Sequence, residues 1–318
     1  MKKVVKFGGS SLASAEQFMK VCDIIRADES RRYVVPSAPG KRFNDDIKVT
    51  DMLYRCYELA ESGQPFNKQM NQIKDRYNEI IRGLKLDFSL NDDFETIKKQ
   101  FLAKAGRMYA ASRGEYLNGK IMAKYLGFEF IDSANVIRFD KDGHFDADTT
   151  DKLLSERLAA YDHAVIPGFY GAIANGTVVT FSRGGSDITG SLVAKAIHAD
   201  LYENWTDVSG VLVADPRIIN NPEVIHTITY TELRELAYMG ASVLHEDAIF
   251  PVRKAGIPIN IRNTNAPEDE GTMIVESTCR IPAYTITGIA GKKGFVAVNI
   301  EKDMKNSEIG FGRKVLQA

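Results

Sequence analysis

The stretch KFGGSS, at positions 6–11, holds residues well suited to binding an anion. A short run of β-forming residues precedes it, and apolar residues recur at helical spacing over positions 18–25. A strand, a glycine turn and a helix N-terminus together form an anion-binding site, because free N–H groups and the positive end of the helix dipole face outward. Such a turn is also common structural punctuation, and this stretch alone leaves both interpretations open.

A second chemical signal is the stretch SRGGSD, at positions 182–187, which lies between a strand pattern and a helix pattern. An arginine, two glycines, a hydroxyl and a carboxylate at the end of a strand suit anion recognition and phosphate chemistry. Asp187 also suits a helix N-cap, and Arg183 suits a solvated charge. Asp187 can cap the helix and also take part in phosphate chemistry, so we favour the functional interpretation of this stretch.

Two weaker signals lie between these stretches. SAPGKR, at positions 37–42, combines small residues with two cations after an apolar strand pattern, although it also suits an ordinary turn. Thr50 suits either a helix cap or a hydroxyl presented to a ligand. Glu115 stands near a helix start, where an acidic residue usually interacts with the dipole.

A further strong stretch is NWTDVSGVLVADPR, at positions 204–217. Thr206 and Asp207 end a strand pattern, a glycine turn follows, and the Asp-Pro-Arg triplet ending at Arg217 fixes a loop. Such a segment could line the base and ribose of a nucleotide.

Composition and missing motifs argue against several classes of protein. Lys and Arg number 41 against 42 Asp and Glu in 318 residues, which does not favour a nucleic-acid-binding face. The chain has no P-loop, no protein-kinase motif set and no strand-linked G-x-G-x-x-G, which weighs against a Rossmann dehydrogenase. No secretory signal or membrane-spanning stretch is visible. Three widely spaced cysteines favour reduced thiols in a cytoplasmic protein, and the five histidines lack zinc-ligand spacing.

The elements that position these loops alternate between strand and helix patterns. The strand patterns are RRYVVP, FEFID, VIRF, HAVIPGFYG, TVVTF, DLYENW and IPINIR. A mainly helical block covers about 50–127, and further helices are expected at 188–198, 230–238 and 245–255. This order predicts an α/β fold with a mainly parallel sheet that has helices on both faces. Ligands of such sheets bind outside the carboxyl ends of the strands, where these loops begin.

In this order, KFGGSS, SAPGKR, SRGGSD and WTDVSGVLVADPR resemble the motifs of the aspartokinases, in the amino acid kinase family. The stretch at 238–272 is similar to the segment that closes the catalytic domain of that family, so the resemblance covers nearly the whole chain. It implies a three-layer α/β/α sandwich and transfer of a phosphoryl group from ATP to the side-chain carboxylate of L-aspartate. Alternatives are another amino acid kinase, of the glutamate or N-acetylglutamate type, and a non-catalytic amino-acid sensor on the same scaffold.

The resemblance also implies roles for single residues. Lys6 would neutralise charge on the transferred phosphoryl group, and Asp187 would orient Lys6 or help to position Mg²⁺, which rides mainly on the ATP phosphates without a dedicated protein site. Glu115 would bind the ammonium of aspartate and Arg183 its α-carboxylate. The expected hydroxyl donors to aspartate are Ser37 and Thr50, and the expected ATP-binding residues are Lys6, Phe7, Gly8, Gly9, Ser10, Ser186, Thr206, Asp207 and Arg217.

The chain departs from the family pattern at Ser242, where some aspartokinases carry a cation that touches the nucleotide. The catalytic domain is expected over 1–280. Residues 281–318 resemble the beginning of an ACT regulatory domain, although an incidental strand and helix would give the same pattern. One strand and one helix cannot bury an apolar face alone, so we expect a longer protein. We expect it to form homo-oligomers and to be feedback-inhibited, by lysine before threonine.

Overall fold

The computed structural model describes residues 1–182, 184–238, 244, 246–278, 285–291, 294, 296 and 310–317. The strands are β1 (Lys3–Phe7), β2 (Arg31–Pro36), β3 (Glu129–Phe130), β4 (Ala164–Val165), β5 (Tyr170–Ala172), β6 (Val178–Thr180), β7 (Leu201–Thr206), β8 (Thr227–Thr229), β9 (Ile259–Asn263) and β10 (Thr272–Val275). The helices are α1 (Ala15–Arg26), α2 (Val49–Glu61), α3 (Asn67–Gly83), α4 (Asn91–Leu102), α5 (Arg107–Leu126), α6 (Ser133–Val136), α7 (Ala147–Leu158), α8 (Gly185–Ala196), α9 (Tyr230–Tyr238), α10 (Glu246–Lys254) and α11 (Phe311–Gln317).

Eight of these strands form one sheet, in the order β3-β4-β2-β1-β7-β9-β10-β8. All neighbouring strands are parallel except the pair β9 and β10. The mainly parallel sheet predicted from the sequence is therefore confirmed. The polar stretch at 263–272 connects β9 to its antiparallel neighbour β10, so it joins two strands of the same sheet.

Alternate residues of the central strands face two separate cores, because successive side chains in a strand point to opposite faces. Val5 and Val34 pack with apolar residues of α1 to α5 on one face. Val4 and Val35 pack with apolar residues of α7, α8 and α10 on the other face. The expected three-layer α/β/α sandwich is therefore confirmed.

The register of the central strands brings three loops together at one edge. Phe7 of β1 pairs with Pro36 of β2 and with Trp205 of β7, so all three strands reach their carboxyl ends at the same level. The loops that follow, at 8–10, 37–42 and 207–217, therefore meet at this edge. In open sheets of parallel strands, ligands bind at the edge formed by the carboxyl ends of the strands.

Two of the predicted strands behave differently in the structure. The VIRF stretch begins at the last residue of the short helix α6 and makes only isolated bridges, through Arg138 and Phe139. TVVTF contains β6, which is not part of the large sheet and pairs antiparallel with β5 instead. The SRGGSD loop therefore follows a two-stranded hairpin. An apolar run does not reveal its pairing partner, which is why the sequence did not predict the separate pairing of β6.

The C-terminal region is described only in part. Helix α11 agrees with the short helix expected there. The expected strand at 295–300 lies, except for Val296, outside the described residues, so the regulatory domain over 281–318 stays a prediction. No helix in the described part of the chain is both long and apolar enough to cross a membrane.

Candidate active site

Lys6, Asp187 and Asn204 form a connected polar cluster at the carboxyl edge of the sheet. The Lys6 Nζ lies 2.7 Å from the Asp187 Oδ1 and donates to the Asn204 Oδ1 at 3.3 Å. The Asn204 Nδ2 donates to the Asp187 Oδ1 at 2.9 Å. Lys6 is only 8% exposed, so the surrounding protein and these two partners hold its ammonium in one position.

The strand register and one glycine explain how the three residues meet. Lys6 and Asn204 are direct neighbours on β1 and β7, so both side chains point to the same face of the sheet. Asp187 stands in the first turn of α8, whose N-cap Gly184 has φ 63°. That left-handed conformation suits glycine, and it turns the chain from the hairpin into the helix.

The other face of the same strands is fixed by a buried carboxylate. Glu203 is 1% exposed and accepts hydrogen bonds from the Arg31 Nε and the Trp205 Nε1, both at 2.8 Å. The Lys3 Nζ lies 3.2 Å from the same carboxylate. Lys3 belongs to β1, Arg31 to β2 and Glu203 to β7. This ion cluster therefore ties the three strands together behind the site.

The glycine loop at 8–10 packs directly on the loop after β2. The Gly40 N–H donates to the Gly9 carbonyl at 2.8 Å, and a Cβ on Gly9 would lie 2.9 Å from the Ala38 carbonyl oxygen. The Gly8 N–H donates to the Trp205 carbonyl at 3.0 Å. Because this bond occupies the Gly8 N–H, the expected contact of Gly8 with ATP cannot come from that group, whereas the N–H groups of Gly9 and Ser10 have no acceptor among the described residues.

Phe7 also differs from its expected role. Its side chain is fully buried and stacks on Trp205 with ring centroids 5.9 Å apart. It faces away from Lys6, because adjacent strand residues point to opposite faces. Phe7 is therefore a core residue whose side chain cannot touch a nucleotide.

Glu115 lies in the middle of α5, not near a helix start as the sequence suggested, and is 6% exposed. Burial raises the pKa of its carboxyl group to about 8, although a hydrogen bond from the Ala38 backbone opposes the shift. Its Oε2 has no hydrogen-bond partner in the described part of the chain. A buried carboxyl group with a free oxygen is suited to a cationic ligand group, which would lower the pKa again.

Ser37 is held from two sides. Its N–H donates to the Phe7 carbonyl at 3.1 Å, and its carbonyl accepts from the Asn118 Nδ2 at 2.6 Å. Asn118 follows Glu115 by one helical turn and is fully buried. Helix α5 therefore fixes the start of the loop at 37–42 and also carries the Glu115 carboxyl group.

The loop at 41–48 is fixed by charged side chains. The Arg76 guanidinium donates to the Gly40 carbonyl at 2.7 Å and to Asp46 at 2.6 Å, and Arg42 also donates to Asp46. The hydrogen bonds from Arg42, which have the largest effect, and from Arg76 hold the pKa of Asp46 well below its usual range. Arg76 is 4% exposed, so this anchor reaches from α3 into the base of the loop.

Two cavities lie beside this cluster and share part of their lining. One has a volume of about 700 Å³ and is lined by residues that include Ser10, Ser37, Thr50 and Glu115. The other has a volume of about 470 Å³ and is lined by residues that include Lys6, Asp187, Asn204 and Arg217. Thr206 and Asp207 line both cavities. The arrangement therefore offers two adjacent ligand spaces with a cation near their junction.

The remaining predicted residues are placed as follows. Arg217 lines the smaller cavity, pairs with Asp215 at 2.6 Å, and has a side chain that is 86% exposed. Ser186 packs against Gly168 and is not among the residues that line either cavity. Arg183 and Ser242 lie outside the described residues.

The sequence interpretation missed Asn204, Asn118 and Arg76. Each is a polar residue that is buried inside a regular element. The signal available for Asn204 was its position two residues before Thr206, in a strand pattern that also contains Tyr202 and Trp205, since polar groups are seldom buried without a partner. No comparable signal marks Asn118 or Arg76.

Comparison with known proteins agrees with this geometry. The family model of the Amino acid kinase family matches residues 1–263. Aspartokinase 3 of Bacillus subtilis is 40% identical over 331 aligned positions, which cover 99% of this chain and 72% of that protein.

Solved structures give the same result. Aspartate kinase of Clostridium acetobutylicum is 53% identical with a TM-score of 0.90, and the match covers 100% of this chain and 73% of that one. Escherichia coli aspartokinase III, solved in complex with aspartate and ADP, is 27% identical with a TM-score of 0.76, covering 87% of this chain and 65% of that one. The chain therefore belongs to the amino acid kinase family and, within it, to the aspartokinases.

Proposed function

We propose that this chain transfers the γ-phosphoryl group of ATP to the side-chain carboxylate of L-aspartate and so forms 4-phospho-L-aspartate. The observation that carries the proposal is the Lys6–Asp187–Asn204 cluster, which lines one cavity. That cavity shares Thr206 and Asp207 with a second cavity, which is lined by Glu115. The E. coli relative was solved with aspartate and ADP, which supports the same pair of ligands here. The product would be the first intermediate towards lysine, threonine and methionine.

The reaction needs little covalent chemistry from the protein. A carboxylate is already ionised at neutral pH, so it attacks the γ-phosphorus without a general base. A new carboxylate oxygen–phosphorus bond forms while the bond to the β–γ bridging oxygen breaks, and ADP leaves. Lys6 stabilises the charge on the transferred group, and Asp187 and Asn204 hold its ammonium in place.

The aspartate would bind in the cavity beside Glu115. The Glu115 carboxylate receives the substrate ammonium, and Arg183 binds the α-carboxylate, which leaves only the side-chain carboxylate free to react. Ser37 and Thr50 line the same cavity and provide hydroxyl groups. Thr206, Asp207 and Arg217 would contact the nucleotide.

Mg²⁺ would ride on the ATP phosphates and neutralise part of their charge. The residues that line the two cavities fit this ion because Asp187 and Asp207 offer carboxylate oxygens, the hard ligands that Mg²⁺ prefers. Thiol and imidazole groups are absent from both linings, as far as the chain is described. Lys6 and Asn204 already bind Asp187, so Asp207 is the freer of the two carboxylates.

Regulation and assembly extend the proposal. We assign 1–280 to the catalytic domain and 281–318 to the beginning of an ACT regulatory domain in a cytoplasmic homo-oligomer. Lysine, more than threonine, would be the effector, and an E. coli relative was solved with lysine and aspartate.

The test is an acceptor screen with Mg²⁺-ATP and hydroxylamine, which converts an acyl phosphate into a coloured hydroxamate. Aspartate should give hydroxamate and ADP, while glutamate, N-acetylglutamate, carbamate and UMP should give neither above background. A preference for glutamate or N-acetylglutamate would favour another amino acid kinase. Absence of ATP turnover with every acceptor would favour the sensor.

A further inference from the structure

The short segment at 285–291 lies against the cavity assigned above to the nucleotide. Ile289, Ala290 and Gly291 are among the residues that line this cavity of about 470 Å³. They follow β10, the last strand in the described part of the chain, by more than ten positions in the sequence. None of them belongs to a motif that marked the site in the sequence.

Two hydrogen bonds hold this segment in place. The Ile289 N–H donates to the Val213 carbonyl at 2.7 Å, in the loop that follows β7. The Thr287 hydroxyl donates to the Glu232 carboxylate at 2.6 Å. Glu232 in turn accepts from the N–H and hydroxyl of Thr229, so it is itself fixed at the start of α9. The segment is therefore anchored to the catalytic domain.

The side chain of Ile289 is 67% exposed although its backbone is fixed. The same cavity is lined by other aliphatic side chains, those of Val211, Leu212, Leu236, Leu244 and Ile261. The same lining includes Lys6 and Asn204, whose ammonium and amide groups can bind phosphate. A cavity with an aliphatic part and a cationic part matches a nucleotide, whose base is flat and apolar on its faces and whose phosphates are charged.

We propose that residues 289–291 form one wall of the base-binding part of the nucleotide site, with Ile289 as the side chain that packs on the base and Thr287 as the residue that positions this wall. The inference rests on the proposed use of ATP and adds a binding segment outside the motifs. It also makes nucleotide affinity sensitive to movement of the chain that follows β10.

The test compares Ile289→Ala with Ile286→Ala, using ADP in titration calorimetry on the full chain. Ile286 is 62% exposed in the same segment and does not line the cavity, so it is a matched control. Loss of the Ile289 packing should weaken ADP binding about 10-fold. Ile286→Ala should leave it within about 2-fold. Equal ADP affinity in Ile289→Ala and wild type would overturn the inference.

Binding of pyrophosphate measures the phosphate contacts alone, because pyrophosphate lacks the base. Ile289→Ala should bind pyrophosphate like the wild type, whereas equal weakening for pyrophosphate and ADP would contradict a contact with the base. Thr287→Val should also weaken ADP binding, and Thr287→Ser, which keeps the hydroxyl, should restore it. Because ADP binding needs no aspartate, an Ile289-dependent ADP affinity would stand even if the acceptor screen failed.

Discussion

The Lys6 ammonium lies 2.7 Å from the Asp187 carboxylate, although 181 positions of sequence separate the two residues. The pair is partly shielded from water, with side-chain exposures of 11% and 24%. Asn204 bonds both partners and completes the cluster. Such an arrangement fixes the direction of a positive charge before any substrate arrives, which is what electrostatic stabilisation of a transferred phosphoryl group requires.

Replacing the lysine tests this role. Lys6→Ala should lower kcat by about 100-fold or more, because the charge is needed most in the transition state. Aspartate binding should change far less than kcat. The hydroxamate assay measures the first effect and calorimetry the second. Lys2→Ala, at an exposed position just before β1, is the control and should keep the wild-type rate; an unchanged kcat in Lys6→Ala would refute the assignment.

Asn204 offers a test of positioning. Asn204→Leu should lower kcat about 10-fold, because Lys6 and Asp187 each lose a hydrogen-bond partner that limits their movement. The KM values for ATP and aspartate should move by less. Circular dichroism and thermal unfolding of the variant would show whether the fold is retained. A rate loss that is matched by a rise in both KM values would indicate general disruption instead.

Much of this site was accessible from the sequence, because its loops follow strands of a parallel sheet. Lys6, Thr206 and Asp207 stand at or just after the carboxyl ends of β1 and β7, and the rule for such sheets predicts that they meet. The rule also gives the direction of each side chain. Strand alternation would have placed Phe7 on the face opposite Lys6, whereas membership of the KFGGSS motif alone suggested a nucleotide contact.

The residues that support the site were not accessible in the same way. Asn118 binds the Ser37 carbonyl and Arg76 binds the Gly40 carbonyl across long sequence separations. Helix periodicity predicts which residues face inward, but it does not specify which backbone group an inward polar side chain will bind. The antiparallel pairing of β6 with the nearby β5 was missed because an apolar run does not show whether it joins the large sheet or a local hairpin.

Glu115 predicts a pH effect on aspartate binding. With a pKa raised to about 8 by burial, this carboxyl group is mostly protonated near pH 7 in the free protein. Its pairing with the substrate ammonium requires the ionised form, so aspartate binding should release close to one proton near pH 7. Aspartate affinity should therefore rise as the pH increases from about 6 to about 7.5.

Calorimetry in buffers with different ionisation enthalpies measures that release directly. In Glu115→Gln the release should disappear and aspartate affinity should fall at every pH in this range, while ADP affinity should stay within about 2-fold of the wild type. If the wild type binds aspartate without releasing protons, Glu115 is not the ammonium partner. A loss of ADP affinity with normal aspartate affinity would place Glu115 at the other ligand.

The contact between Gly9 and Gly40 predicts a backbone-dependent loss of function. A Cβ on Gly40 would lie 2.6 Å from the Gly9 carbonyl carbon and 2.8 Å from the Ser10 nitrogen, so Gly40→Ala must push the two loops apart. Gly9, Ser10 and Gly40 all line the larger cavity, and the Ser10 N–H is a candidate phosphate donor. The variant should therefore lose activity about 100-fold, because catalysis depends on alignment within about an ångström.

Gly63→Ala is a control for the loss of a glycine at a site with open space, φ 72°, and it should affect stability slightly without affecting the reaction. Wild-type activity in Gly40→Ala would show that the two loops need not touch for phosphoryl transfer.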